Sequence, residues 1–220
     1  MAYGAFAGLR NLALGLVISA LPAAAEQMTL VALGDSLTAG YGLPAEEGFV
    51  PQLQAWLRAE GADVEVINAG VSGDTTAGGL SRIGWTLDGA PDTDAIMIAL
   101  GGNDLLRGFA PKATRQYIEG MMDEVAARGL PVLLVGIDAP GNYGPEYKEE
   151  FDAIFPEMAE RYGALYVRSF LEPLAGRDDL RETMREMMQP DGIHPNGKGV
   201  ALIVEGIGPR VLDLLARVEG

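Results

Sequence analysis

The sequence predicts a single α/β domain built on a parallel sheet. Five short apolar runs alternate with longer amphipathic stretches, most of the runs are nearly uninterrupted, and no change of composition divides the chain. A strand covered by helices on both faces is apolar throughout, whereas one with a wet face alternates. The 220 residues fit one domain, and 48% hydrophobic against 21% charged residues is enough apolar material for a full core.

The elements follow in order. The segments 28–33 (MTLVAL), 64–67, 95–100 (AIMIAL), 131–137 (PVLLVGI) and 165–167 read as strands. Between them, 49–60, 77–87, 112–128, 146–162 and 197–218 read as helices. In the first helix Val50, Leu53, Trp56 and Leu57 fall on one face. In the last, Val200, Ile203, Val204, Ile207, Val211, Leu214, Leu215 and Val218 do the same, and Gly206, Gly208 and Pro209 interrupt and kink it. Trp56 and Trp85 are expected to anchor helix packing. Residues 146–152 form an acid-rich solvated face, and Met184, Met187 and Met188 fill core or line an adaptable apolar channel.

Ahead of the domain lies a targeting segment. Arg10, an apolar run over 12–21, the helix breaker Pro22 and the small residues Ala23, Ala24 and Ala25 form a secretory signal over 1–25, cleaved to leave 26–220. The run is half of what spans a bilayer. The expected location is therefore periplasmic or secreted, with no stable membrane insertion after cleavage.

Composition excludes several functions. With 16 basic and 31 acidic side chains the net charge is −15, the wrong sign for a nucleic-acid partner. Cysteine is absent, so thiolate nucleophiles, thiolate metal sites and disulfides are out. There is one histidine, so imidazole chemistry must use His194 and no multi-histidine metal site can form.

In a parallel sheet the ligand crevice lies beyond the carboxyl ends of the strands. The segments following the first four strands are GDSL at 34–37, NAGVSGD at 68–74, GGND at 101–104 and DAPGNYG at 138–144, so polar, glycine-rich turns gather on one edge. Ser36 sits in the first of these turns. A serine hydroxyl needs a base, and His194 is the only imidazole on offer. Asp191 precedes it by three residues in DGIHP, where its carboxylate can accept from Nδ1–H and leave Nε2 free. Gly73 can offer a backbone N–H, Asn103 a side-chain amide and Ser36 its own N–H to a developing oxyanion. Taken singly each has an ordinary reading: turn serine, capping histidine, loop carboxylate, turn glycine. Asp35, Asp74 and Asp104 read as turn and network residues; no metal site is expected.

Together the four blocks, GDSL at 34–37, the glycine block with Gly73, GGND at 101–104 and DGIHP at 191–195, strongly resemble the SGNH (GDSL) hydrolase family. They occur in the family's order and include the only histidine. The α/β-hydrolase pattern G-x-S-x-G fails, since Thr38 occupies its last position. The resemblance implies a flavodoxin-like three-layer α/β/α sandwich with a five-stranded sheet in the order 2-1-3-4-5. It implies Ser36 as nucleophile, Asp191 and His194 as acid and base, and Ser36, Gly73 and Asn103 as oxyanion donors. The stretches 100–108 and 139–144 are similar to the thioesterase I/protease I/lysophospholipase L1 and arylesterase branch, where the loop after the fourth strand borders the acyl pocket. That points to Asn142, Tyr143 and Gly144 as substrate-binding residues, with Gly141 and Gly144 as hinges and Tyr143 or Tyr147 as an apolar wall. The expectation is an exported serine esterase that acts on acyl esters and thioesters without metal or organic cofactor. A carbohydrate O-acetylesterase and a non-catalytic acyl-lipid carrier are the alternatives.

Overall fold

The computed structural model describes residue 1 and residues 27–175 and 180–218; the expected signal over 1–25 lies outside these except for its first residue. The chain runs β1 (Met28–Gly34), α1 (Ser36–Ala39), α2 (Phe49–Ala59), β2 (Val64–Gly70), α3 (Thr76–Asp88), β3 (Ala95–Ala99), α4 (Gly102–Leu106) and α5 (Pro111–Ala127). It continues through β4 (Val132–Val135), α6 (Pro145–Asp152), α7 (Ile154–Tyr162), β5 (Leu165–Val167), α8 (Glu172–Ala175), α9 (Leu180–Met187) and α10 (Gly197–Leu215).

All five strands pair in parallel, in the order β2-β1-β3-β4-β5. The predicted sheet and its order are therefore present. Successive side chains of β1 point to opposite faces, so Leu30 and Ala32 enter one core and Val31 and Leu33 the other. The first core packs α2 and α10 on the sheet through Leu53, Leu57, Val200, Ile203 and Ile207. The second packs α3, α5, α6 and α7 through Ile83, Ile118, Met121, Phe151 and Phe155. Gly34 of β1 lies level with both Gly70 and Ala99. The turns leaving β1, β2 and β3 thus emerge side by side, where the strand order reverses.

Several sequence expectations need revision. The helix expected over 146–162 is two helices, because Pro156 has no N–H to give the carbonyl of Asp152. Helix α10 continues through Pro209, and its glycines serve close packing instead: a Cβ on Gly208 would lie 2.5 Å from the Trp56 ring, and one on Gly206 2.4 Å from Pro173. Trp56 does pack on the first core. Trp85 does not anchor packing; it is 78% exposed. Ile83 and Leu87 form the buried face of α3, and a residue two places past Ile83 points away from it.

Candidate active site

Ser36 opens α1 directly after β1, with Asp35 as the cap that accepts from Leu37 N–H at 3.0 Å. The distant turn before α10 brings up the partner: His194 Nε2 lies 2.9 Å from Ser36 Oγ, and His194 Nδ1 lies 2.7 Å from Asp191 Oδ2. The other carboxylate oxygen, Oδ1, accepts from the backbone N–H groups of Ile193 at 2.9 Å and His194 at 3.0 Å. One carboxylate therefore folds the turn and fixes the ring. Gly192, at φ 68°, supplies the left-handed residue this turn requires. The ring and backbone hydrogen bonds from His194, with that from Ile193, hold the Asp191 carboxyl down at about 2. An ionised carboxylate only accepts, so Nδ1 carries the ring hydrogen and Nε2 is left to accept from the Ser36 hydroxyl.

Gly73 and Asn103 come from the neighbouring turns. Gly73 has φ 80°, and Arg107 holds its carbonyl through Nη2 at 2.8 Å. Asn103, in the first turn of α4, donates from Nδ2 to Asp35 Oδ2 at 3.2 Å. Burial pushes the Asp35 carboxyl up to about 6, opposed by the bonds from Leu37 N–H and Asn103 and by the nearby His194. Asp104 is fully buried and accepts from Thr76 N–H at 2.9 Å, from the Thr76 hydroxyl at 2.5 Å and from the Thr114 hydroxyl at 3.2 Å. Asp74 pairs with Arg82, whose guanidinium also donates to the carbonyls of Ala69 and Gly34 and so ties the ends of β2 and β1 together. The expected network roles of these aspartates are what the fold displays.

Ser36, Gly73, Asn103 and His194 open into one cavity of about 890 Å³. Leu105, Leu106, Ile137, Tyr143, Leu171 and Met188 give it an apolar wall, and Asn142 and Met184 also line it. Asp191 stands behind His194, outside the lining. Gly144 is not part of the lining either; at φ 95° it is the turn residue leading into α6. Tyr143 reaches across the cavity edge and donates to Leu105 O at 2.9 Å. The Tyr147 ring lies behind it, tilted, with centroids 4.8 Å apart, and its hydroxyl donates to Phe109 O at 2.8 Å.

Residues 32–202 match the GDSL-like Lipase/Acylhydrolase family. The chain belongs to that family. It is 41% identical over 203 residues to Esterase TesA of Pseudomonas aeruginosa, covering 92% of this chain and 96% of that protein. Thioesterase 1/protease 1/lysophospholipase L1 of Escherichia coli (strain K12) is 34% identical over 192 residues, 87% of each chain. Among solved structures, AlinE4, described as an SGNH-hydrolase family esterase, superposes with a TM-score of 0.70 at 44% identity, covering 87% of this chain and 98% of that one.

As a member of the GDSL-like family the chain keeps all four expected blocks around one cavity. Three residues that shape the site had no signal in the sequence. Arg82 is an ordinary helix-borne arginine and Arg107 an ordinary turn arginine until the fold brings backbone carbonyls to them. Tyr41 follows the GDSL turn, and only the fold places its ring 4.7 Å from that of His194.

Proposed function

We infer that the chain is an exported serine esterase that hydrolyses acyl esters and thioesters through an acyl-enzyme on Ser36. The observation that carries this is the hydrogen-bonded line from Ser36 through His194 to Asp191, at 2.9 and 2.7 Å, opening into a cavity with an apolar wall. His194 Nε2 takes the Ser36 proton as Oγ attacks the acyl carbon, and the carbonyl electron pair moves onto oxygen. Ser36 N–H, Gly73 N–H and the Asn103 amide stabilise that oxyanion, each donor being worth about 10²–10³ in rate. The intermediate collapses as His194 returns the proton to the departing alcohol or thiol. Water, deprotonated by the same imidazole, then attacks the acyl-serine and releases the acid and the free hydroxyl.

The apolar wall favours an acyl chain over a sugar ring, and the relatives named esterase, thioesterase and lysophospholipase point to the same bond types. Asn142 and Tyr143 are assigned to substrate binding from their place on that wall. Export rests on the segment 1–25; no helix among the described residues is long and apolar enough to cross a membrane. N-terminal sequencing of exported protein should begin at Glu26.

The activity test is hydrolysis of p-nitrophenyl esters from acetate to dodecanoate by the 26–220 protein and its Ser36→Ala variant. Turnover that rises with chain length and disappears in the variant is the expected result. Serine-dependent activity confined to acetate would instead indicate a carbohydrate O-acetylesterase. Failure of a fluorophosphonate to label Ser36 would leave only a carrier.

A further inference from the structure

Ser36 and His194 are 158 residues apart, so no local turn sets their separation. A closed ring of hydrogen bonds joins them instead. Tyr41 N–H donates to Ser36 O at 3.1 Å, across the end of α1. The side-chain amide of Gln189 donates to Tyr41 O at 2.8 Å and to Pro195 O at 3.0 Å. Both amide hydrogens are thereby used, one on each segment. Gln189 N–H donates to His194 O at 2.8 Å, and His194 Nε2 beside Ser36 Oγ closes the ring.

The surroundings are built to this amide. Gly42 has φ 76°, and a Cβ there would lie 2.3 Å from Gln189 Oε1, so the turn after Tyr41 is folded directly onto it. An antiparallel bridge between Met188 and Pro195 makes a rigid base for the turn that carries His194. The ring of Tyr41, fixed by the same turn, lies against the imidazole at 4.7 Å. A second glutamine crosses the same seam: Gln52 Nε2 donates to Glu47 O at 2.6 Å and to Gly197 O at 3.1 Å. It fastens α2 to α10 and bonds to neither reacting residue.

We propose that Gln189 is a positioning residue for the acyl-transfer reaction, its amide clamping the Tyr41 turn to the His194–Pro195 segment and so setting the reach of His194 Nε2 to Ser36 Oγ. The proposal rests on Ser36 and His194 being nucleophile and base. Both acceptors are carbonyl oxygens, so only a side chain with two N–H hydrogens to give can hold them together. A misplacement on the order of 1 Å costs about 10²-fold in such a reaction, which is the scale of what the clamp protects.

The test uses the 26–220 protein with Gln189→Met, which keeps the length of the side chain without its donors, and Gln52→Met as the control. The readings are kcat and KM on a p-nitrophenyl ester, the rate of fluorophosphonate labelling of Ser36, and the thermal midpoint. Gln189→Met should lower kcat about 10-fold or more and slow labelling by the same factor, with KM within about twofold. Gln52→Met should lower the midpoint and leave kcat unchanged. In a His194→Ala background Gln189→Met should remove nothing further, because its effect passes through the imidazole. Wild-type kcat in Gln189→Met, or an undiminished further loss in the His194→Ala background, overturns the proposal. If Gln189→Met does not fold, Gln189→Asn, one methylene too short to span both carbonyls, is read by the same criteria. Full turnover by Ser36→Ala or His194→Ala would overturn the underlying mechanism instead, and that result is read independently of Gln189.

Discussion

Two carboxylates flank Ser36 and His194, and their surroundings push them in opposite directions. Asp191 is held at about 2 by the hydrogen bonds of His194 and Ile193, so it stays ionised wherever an imidazole titrates. Loss of activity in acid therefore does not come from Asp191, and activity that stays level on acidification would contradict the role of His194 as base. Asp191→Asn should cut kcat by about 10⁴-fold with the fold retained, because a side-chain amide can donate to Nδ1 and reverse the tautomer; steady-state kinetics and a melting curve check this. Asp35 behaves the other way. Burial raises its pKa from the ordinary 3.8 to about 6, so within that window the native chain holds a proton that the unfolded chain has released. Its contribution to stability is full below about pH 4 and is lost as pH rises to about 6, on the order of 3 kcal/mol in total. Urea unfolding of the wild type and Asp35→Asn across that range should show the loss in the wild type alone.

At the scale of elements, caps and close approaches decide what the sequence could announce. Asn196 caps α10, accepting from Lys198 N–H and Gly199 N–H, while its amide donates to Glu186 O and Met188 O below. Asn196→Ala should cost about 1–2 kcal/mol, measured by chemical denaturation. Strands β1, β3 and β4 were legible because each is a short run of apolar residues buried on both faces, as with Ile96 and Met97. Exact strand ends were not: β2 continues past its apolar part to Gly70 because β1 keeps pairing with it there. Helices α1 and α4, four and five residues long, carry no periodic signal, yet they hold Ser36 and Asn103. The hydrogen-bonded line of Ser36, His194 and Asp191 could be expected because a lone histidine leaves few choices and Asp191 lies within its own turn. The supports at Gln189, Arg82 and Arg107 could not, since each is defined by a backbone carbonyl that only the fold supplies.

The whole molecule is two cores sharing one sheet, with a surface that carries a strong excess of negative charge. The ion pairs of Arg115 with Glu157 and Arg128 with Asp88 are partly exposed and contribute little each. Net self-repulsion at −15 outweighs them. Raising salt from near zero to about 0.15 M, where screening sets in at about 8 Å, should therefore raise the thermal midpoint; a fall would mean that the pairs dominate. The order β2-β1-β3-β4-β5 places the reversal of strand order beside β1, so Ser36 and Asn103 leave adjacent parallel strands at one level. That arrangement follows from the sheet, and the distant His194 is then brought to it by the turn before α10.

The solitary imidazole also makes this protein its own spectroscopic probe. A nitrogen-15 or proton spectrum contains one histidine side-chain spin system, and it comes from the group hydrogen-bonded to both Asp191 and Ser36. Its two nitrogen shifts report the tautomer, and its Nδ1 proton reports the bond to Asp191 in a downfield region free of other imidazoles. The Tyr41 ring at 4.7 Å adds a ring-current displacement that is lost whenever the turn swings away. Protonation, tautomer and loop position can thus be followed together in the unmodified chain, without assignment by mutation.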